Sequence, residues 1–85
     1  MTHILLVEDD KSIVTNLTEF LQKEGFAITS VDGQTKALAL LEDSSAAFDL
    51  MLLDVSLAEG NGFAICRAVK STTSLPVIFL TASGR

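Results

Sequence analysis

The chain has 85 residues, enough for one domain, and its 48% hydrophobic content suffices for a packed core and excludes intrinsic disorder. A formal net charge of −5 argues against non-specific binding to nucleic acid or to an anionic membrane surface. The sequence predicts neither a membrane span nor a signal peptide, because no apolar run is long enough and no basic region precedes the first one. The single cysteine, Cys66, excludes an internal disulfide framework and a cysteine metal cluster, which is typical of a cytoplasmic protein.

Apolar periodicity along the chain predicts four strands that alternate with three helices. The first, third and fourth strands are apolar runs without alternation, which is typical of strands buried on both faces. The second alternates imperfectly, which indicates a position nearer the sheet edge. The predicted strands are His3–Val7, Phe26–Val31, Leu50–Leu53 (followed directly by Asp54) and Val77–Leu80.

The helices are predicted from apolar residues at helical spacing and from the residues that cap them. The first begins at Lys11, with Asp10 as its N-cap and Gly25 as its C-terminal stop. The second and third are predicted over Thr35–Glu42 and Phe63–Lys70, and residues 71–74 are predicted to be unstructured. The side chains expected on the buried sides of the first and third helices are Ile13, Val14, Leu17, Phe20, Leu21, Phe63, Ile65, Cys66 and Val69.

This order of elements predicts an α/β fold. Strands that alternate with helices form a parallel sheet with right-handed crossovers and helices on both faces, which is a doubly wound sheet. If the strand order is 2-1-3-4, the order reverses between the first and third strands. Ligands of such sheets bind at that point, outside the carboxyl ends of the strands.

Each of the three buried strands ends in a polar side chain. Glu8 and Asp9 follow the first strand, Asp54 follows the third, and Thr81 follows the fourth. Because the carboxyl ends of parallel strands meet at one edge, we expect the three carboxylates in one shallow pocket with Thr81 beside them.

Carboxylates this close together repel one another and raise one another's pKa unless a cation is present. No Lys or Arg is predicted to neutralise them, because Lys11, the nearest, starts a helix. The predicted cation is Mg²⁺, which prefers oxygen ligands and suits phosphoryl transfer. Asp54 stands alone at its strand end and is the predicted nucleophile, which would become an aspartyl-phosphate. Asp9 is the predicted metal ligand. Glu8 is predicted to act either through a water molecule or by contacting the residues that ligate the metal.

Simpler structural explanations exist for several of these residues. Asp10 is explained by its role as a helix cap. An Asp at a strand end usually begins a turn, and Thr81 is a typical β-branched strand residue. For Asp54 we favour a functional role over a turn, because polar residues end all three buried strands. We expect His3 at the surface and Cys66 as a small core side chain.

Three motifs closely resemble the receiver domain of bacterial two-component response regulators, in matching order along the whole chain: Ile4–Asp10, Leu50–Asp54 and Pro76–Ala82. The resemblance implies a flavodoxin-like (CheY-like) fold and Mg²⁺-dependent transfer of a phosphoryl group from a sensor histidine kinase to Asp54. The first helix would supply much of the kinase-docking surface. Asn61-Gly62-Phe63 is similar to subfamilies with a DNA-binding winged-helix output, which implies transcription regulation by a domain that these 85 residues do not include.

The resemblance also implies roles for individual residues. Glu8 and Asp9 form the acidic pair, and the backbone carbonyl of Ser56 ligates the metal together with Asp9 and Asp54. Thr81 is the switch residue that hydrogen-bonds the phosphoryl group.

Two departures from the family pattern stand out. Ala58 occupies a position where the family usually has Pro, which loosens the loop after Asp54. The sequence also ends before the fourth helix, fifth strand and fifth helix of the family, so the catalytic Lys of the fifth strand has no counterpart. Residues 1–85 are therefore interpreted as a receiver domain truncated after the fourth strand. We expect self-association, as a dimer, through the Val77–Leu80 edge that this exposes.

Two other functions stay open. In one, phosphorylation is impaired without the Lys, and the chain acts as a self-associating interaction module. In the other, the fold binds a small molecule or hydrolyses a phosphate ester. A flavin site requires a phosphate-cradling loop after the first strand, where this chain has Glu8-Asp9-Asp10. A phosphatase of the Asp type requires a second Asp two residues after the nucleophile, where this chain has Ser56.

Overall fold

The structure is a computed structural model, and it describes residues 2–42, 47–54, 62–72 and 75–80. All seven predicted elements are present in the predicted order. The strands are β1 (His3–Val7), β2 (Ala27–Val31), β3 (Leu50–Asp54) and β4 (Val77–Leu80), and the helices are α1 (Lys11–Lys23), α2 (Gln34–Glu42) and α3 (Gly62–Thr72). Among the described residues, no helix is long and apolar enough to cross a membrane.

The four strands form one parallel sheet in the order β2-β1-β3-β4. Ile4 pairs with Ile28 on one side and with Leu50 on the other, and Met51 pairs with Val77. The predicted doubly wound topology is thus confirmed. The order reverses between β1 and β3, so the carboxyl ends of these two strands frame the position at which such sheets bind ligands.

The main core lies on the face of the sheet that α2 and α3 cover. Alternate residues of the two central strands pack there against the two helices, and all of them are at most 1% exposed. They are Leu5, Val7, Ala37, Met51, Leu53, Ile65 and Val69. On the opposite face, Ile4 and Leu6 are equally buried. α1 lies on that opposite face. The chain crosses the sheet in one direction from β1 to β2 and in the other direction in its two later crossovers, and right-handed crossovers in opposite directions place their helices on opposite faces.

The predicted caps of α1 are confirmed. Asp10 Oδ1 accepts hydrogen bonds from the backbone N–H groups of Ser12, at 2.9 Å, and of Ile13, at 3.3 Å. Gly25 has a φ of 96°, a left-handed conformation that a side chain would strain, and it follows the C-cap residue. A cap of the Asp10 kind stabilises a helix by about 1 kcal/mol. The Asp10 cap holds the start of α1, at Lys11, close to the end of β1, at Val7.

Three predictions about burial and helix ends are wrong. Phe20 and Phe63, expected on buried sides, are 60% and 59% exposed. Helical spacing identifies the apolar side of a helix, but it does not say whether another element covers that side. The third helix begins at Gly62 and extends to Thr72, so residues 71 and 72 are helical instead of unstructured. Ser and Thr are only weakly unfavourable in helices, so their presence does not fix an end.

Burial of β3 and β4 also differs between the two faces of the sheet. In β3, Met51 and Leu53 are fully buried, whereas Leu50 and Leu52 are half-buried, so this strand is not buried equally on both faces. Ile78 of β4 is 51% exposed. β4 forms one edge of the described sheet, as predicted.

Candidate functional site

Three carboxylates meet at the carboxyl ends of β1 and β3. Val7 pairs with Leu53, so the next residues on the two strands, Glu8 and Asp54, come side by side. Asp9 follows directly. One carboxylate oxygen from each of Glu8, Asp9 and Asp54 lies within 4.8 Å of the others. The predicted convergence of these side chains is therefore confirmed.

Two of the three carboxylates are buried. Glu8 is 2% and Asp54 is 1% exposed, whereas Asp9 is half-buried. Asp54 follows Leu53 on a strand, so its side chain points away from the core that Leu53 fills. The Glu8 backbone is fixed because its N–H donates to the carbonyl of Val31, at 3.0 Å. Two neighbouring strands thus hold Glu8 in place.

The Glu8 carboxyl group has a pKa raised to about 7. Burial is the largest cause, because it penalises the charged form. The N–H of Asp10, which donates to Glu8 Oε1 at 3.1 Å, acts in the opposite direction. Hydrogen bonding to Asp54, the charge of Asp54, and hydrogen bonding to Asp9 raise the pKa further. The sequence predicted a raised pKa from repulsion between carboxylates, whereas in the structure burial contributes more.

A groove of about 390 Å³ adjoins the carboxylates on the side of α1 and β2. Its lining includes two of the three carboxylates and two lysines, together with hydroxyl and aliphatic side chains. The lining residues are Glu8, Asp9, Lys11, Val14, Thr15, Ser30, Val31, Asp32 and Lys36. Lys36 pairs with Asp32, at 3.2 Å, and both are about two-thirds exposed. Lys11 and Lys36 share this groove with Glu8 and Asp9, but Lys36 pairs with Asp32, so the expectation that no lysine neutralises the three carboxylates stays a prediction.

The other predicted site residues have different outcomes. Asp10 caps α1 through its side chain and contributes its backbone N–H to Glu8, a contact that sequence reasoning missed. The local sequence signal for this hydrogen bond is a Glu that lies two residues before an Asp at a helix N-cap. Ser56 and Thr81, and Ala58 in the same loop as Ser56, lie outside the described residues.

The carboxylate cluster suits a hard divalent cation. Its ligand atoms are all carboxylate oxygens, which Mg²⁺ prefers. After burial, the neighbouring carboxyl groups of Asp54 and Asp9 also raise the pKa of Glu8, an effect that a bound cation would oppose. No buried side-chain polar atom in the described part of the chain lacks a hydrogen-bond partner. A metal here would therefore replace a proton instead of filling an unsatisfied position.

Comparison with known proteins identifies the family. The sequence profile of the response regulator receiver domain matches residues 4–85. The chain belongs to this family. Proteins of this family act as signalling modules and bind Mg²⁺ in an acidic pocket, to which the cluster of Glu8, Asp9 and Asp54 corresponds.

The chain is similar to longer regulatory and sensory transduction proteins. It is 43% identical over 84 residues to the transcriptional regulatory protein CpxR of Escherichia coli, and 42% identical over 82 residues to the sensory transduction protein RegX3 of Mycolicibacterium smegmatis. These alignments cover 99% and 96% of this chain and 35% of each relative. The chain thus spans about a third of the length of these relatives.

Solved structures show the same fold. The response regulator MaeR bound to beryllium trifluoride superposes with a TM-score of 0.86 at 35% identity, over 100% of this chain and 70% of that chain. The non-phosphorylated HemR receiver domain of Leptospira biflexa gives a TM-score of 0.84 at 35% identity, over 100% of this chain and 68% of its own. The receiver fold predicted from the sequence motifs is therefore confirmed.

Proposed function

We propose that this receiver domain is a phosphoacceptor module of a two-component phosphorelay. In this proposal a sensor histidine kinase phosphorylates Asp54, and the modification regulates a transcriptional output. The observation that carries the proposal is the convergence of Asp54 with Glu8 and Asp9 at the strand ends where the sheet order reverses. Similarity to CpxR, a transcriptional regulatory protein, supports a transcriptional output. The absence of a spanning helix among the described residues is compatible with our proposal of a cytoplasmic location without membrane contact.

The proposed transfer is a single displacement at phosphorus. A carboxylate oxygen of Asp54 forms a bond to phosphorus while the bond between phosphorus and the donor's histidine nitrogen breaks, and the imidazole nitrogen takes up a proton. Burial of Asp54 limits water access to the resulting acyl phosphate. The role of the domain is to take and lose its own phosphoryl group, so we propose no further enzymatic activity.

The proposed metal ligands are Asp9, Asp54 and the backbone carbonyl of Ser56, with Glu8 acting through water. Bound there, Mg²⁺ would offset negative charge on the phosphoryl oxygens. Thr81 is the proposed switch residue, whose hydroxyl would donate to the phosphoryl group. The family resemblance is the support for Ser56 and Thr81, and the described carboxylate geometry supports the other three.

Mass spectrometry with a small phosphoryl donor tests this proposal. The protein is incubated with acetyl phosphate or phosphoramidate, with Mg²⁺ or with a chelator. We expect one phosphoryl adduct that requires Mg²⁺ and disappears in Asp54→Asn. Asp49→Asn is the matched control, because Asp49 precedes the opposite end of the same strand. Among the hydrogen bonds described, Asp49 Oδ2 accepts only one, from the backbone N–H of His3 at 2.8 Å. Equal uptake by Asp54→Asn would contradict the proposal.

A second candidate function is self-association, which a specific surface favours. The rings of Phe63 in α3 and Phe79 in β4 lie against each other at a tilt of 46°, with centroids 5.5 Å apart, and both side chains are exposed, at 59% and 37%. Ile78 adds apolar surface on the other face of the same edge strand. An apolar edge strand is a template for pairing with a second chain. A homodimer through Val77–Leu80 would follow.

Light scattering after size exclusion at two concentrations tests the dimer. We expect a concentration-dependent dimer that Ile78→Lys weakens, because a lysine on an edge strand opposes pairing. Lys70→Ala is the control, since it changes an exposed residue of α3. A monomer at both concentrations would rule out this function without affecting the phosphoacceptor proposal.

A further inference from the structure

Lys11 occupies an unusual position in this structure. It is the first residue of α1, is exposed, and lines the groove beside Glu8 and Asp9. The positive end of a helix dipole lies at the N-terminus, so a cation there is unfavourable and a carboxylate is favourable. The first turn of α1 nevertheless contains no acidic residue. The charge of Lys11 therefore does not serve the stability of α1.

The groove presents this charge to an anion that approaches the carboxylate cluster. A donor that carries a phosphoryl dianion is repelled by the ionised carboxylates of the cluster. Lys36, on the other side of the groove, is partly neutralised by its ion pair with Asp32. Lys11 forms no ion pair in the described part of the chain. Of the two lysines in the groove, Lys11 is thus the one without an ion pair among the described residues, although Glu8 and Asp9 line the same groove.

We propose that Lys11 is a positioning residue that draws the phosphoryl dianion of the donor into the groove between α1 and β2, beside the acidic cluster. The inference rests on the proposed phosphoacceptor function and adds to it a residue that attracts the anion to the cluster of Glu8, Asp9 and Asp54, of which Glu8 and Asp9 line the groove. Lys11 forms no bond to phosphorus and ligates no metal. Its contribution is electrostatic, so it acts on the rate of encounter and weakens with salt.

The test compares phosphoryl uptake rates of the wild type, Lys11→Gln and Lys11→Arg. With acetyl phosphate, a dianion, we expect Lys11→Gln to lower the second-order rate constant roughly three- to tenfold at low ionic strength. The difference should shrink as salt approaches about 1 M, where the Debye length is about 3 Å. Phosphoramidate, a monoanion, should show a smaller loss. Lys11→Arg should restore the rate, because it keeps the charge.

The matched control is Lys23→Gln, which removes an exposed lysine from the other end of the same helix. It should leave the rate and its salt dependence unchanged. The stability of each variant is measured by thermal unfolding. Lys11→Gln should be at least as stable as the wild type, because it removes a cation from the helix N-terminus. A slower rate in a protein of equal or higher stability excludes unfolding as the cause.

The possible outcomes separate this inference from the proposed function. If the wild type takes up the phosphoryl group and Lys11→Gln does so at the same rate and with the same salt dependence, the inference is overturned and the function stands. If Lys11→Gln slows both donors equally at every salt concentration, the electrostatic role is overturned too. If the wild type takes up nothing from either donor, both the function and the inference fail.

Discussion

The carboxyl groups of Glu8 and Asp54 are both buried, and one oxygen of each lies within 4.8 Å of the other where β1 and β3 end. Burial, followed by the effects of Asp54 and Asp9, raises the pKa of Glu8 to about 7. Below this pH, Glu8 of the metal-free protein is therefore mostly protonated, beside the carboxylates that would bind a cation. Proton and metal therefore compete for the same group of carboxylates.

The stability of the metal-free protein should decrease as the pH rises from about 4.5 to about 7. In this range the unfolded Glu8 loses its proton at its ordinary pKa of 4.5, whereas the folded protein keeps it. The unfolded state then binds fewer protons, so the free energy of unfolding falls with rising pH and levels off above pH 7. The whole shift corresponds to a change on the order of 3 kcal/mol.

Urea unfolding in chelator, at several pH values between 4 and 8.5, measures this change. Glu8→Gln should flatten the profile in that window and be more stable than the wild type at pH 8. Glu19→Gln is the matched control, because Glu19 is exposed on α1. A wild-type profile that is flat, or that rises between pH 4.5 and pH 7, would show that Glu8 does not hold the proton.

Magnesium should bind more weakly below pH 7 than above it. Below pH 7 the cation must displace the Glu8 proton, and the apparent affinity should fall by up to about tenfold per pH unit. Calorimetric titration with Mg²⁺ in two buffers of different ionisation enthalpy measures how many protons are released on binding. We expect clear proton release at pH 6.5 and little proton release at pH 8.5. Equal affinity and no proton release at both pH values would indicate that the metal leaves Glu8 protonated.

Asp54→Asn should stabilise the metal-free protein while it abolishes phosphoryl uptake. The amide has nearly the shape of the carboxylate and can still hydrogen-bond to Glu8, but it removes a buried charge from beside another acid. We expect a gain of about 1–2 kcal/mol in the free energy of unfolding at pH 8 in chelator. Added Mg²⁺ should raise the unfolding temperature of this variant less than that of the wild type. A loss of stability would mean that the Asp54 charge is compensated by groups outside Glu8 and Asp9.

The sequence was sufficient to predict the seven elements, their topology and the convergence of the three carboxylates. These features depend on local apolar runs and on a general rule about parallel strands. The exposure of Phe20 and Phe63 could not be predicted in this way, because it depends on which surfaces other elements cover. The position of Lys11 in the groove depends on the path of α1 over β2. The cause of the Glu8 pKa shift depends on burial, which no residue pattern measures.

The surroundings of His3, at the other end of the strands, also depend on packing that the sequence pattern does not reveal. His3 was expected at the surface, but its ring is half-buried and bonded on both sides. Its Nδ1 lies 3.1 Å from the carbonyl of Ala47, and because a carbonyl only accepts, Nδ1 carries the hydrogen. Its Nε2 lies 2.7 Å from the hydroxyl of Thr29, and its ring lies against Phe48, with centroids 4.6 Å apart.

His3→Ala should therefore destabilise the protein by about 2 kcal/mol, since it removes two hydrogen bonds and one ring contact. Thr29→Val should cost about 1 kcal/mol, because it removes one of these bonds and keeps the side-chain shape. The double variant should lose less than the sum of the two, since the bond between the two residues is counted twice. Magnesium affinity should not change in any of them, because His3 begins β1 and Glu8 follows its other end. A weakened magnesium site in His3→Ala would show that the two ends of the sheet are coupled.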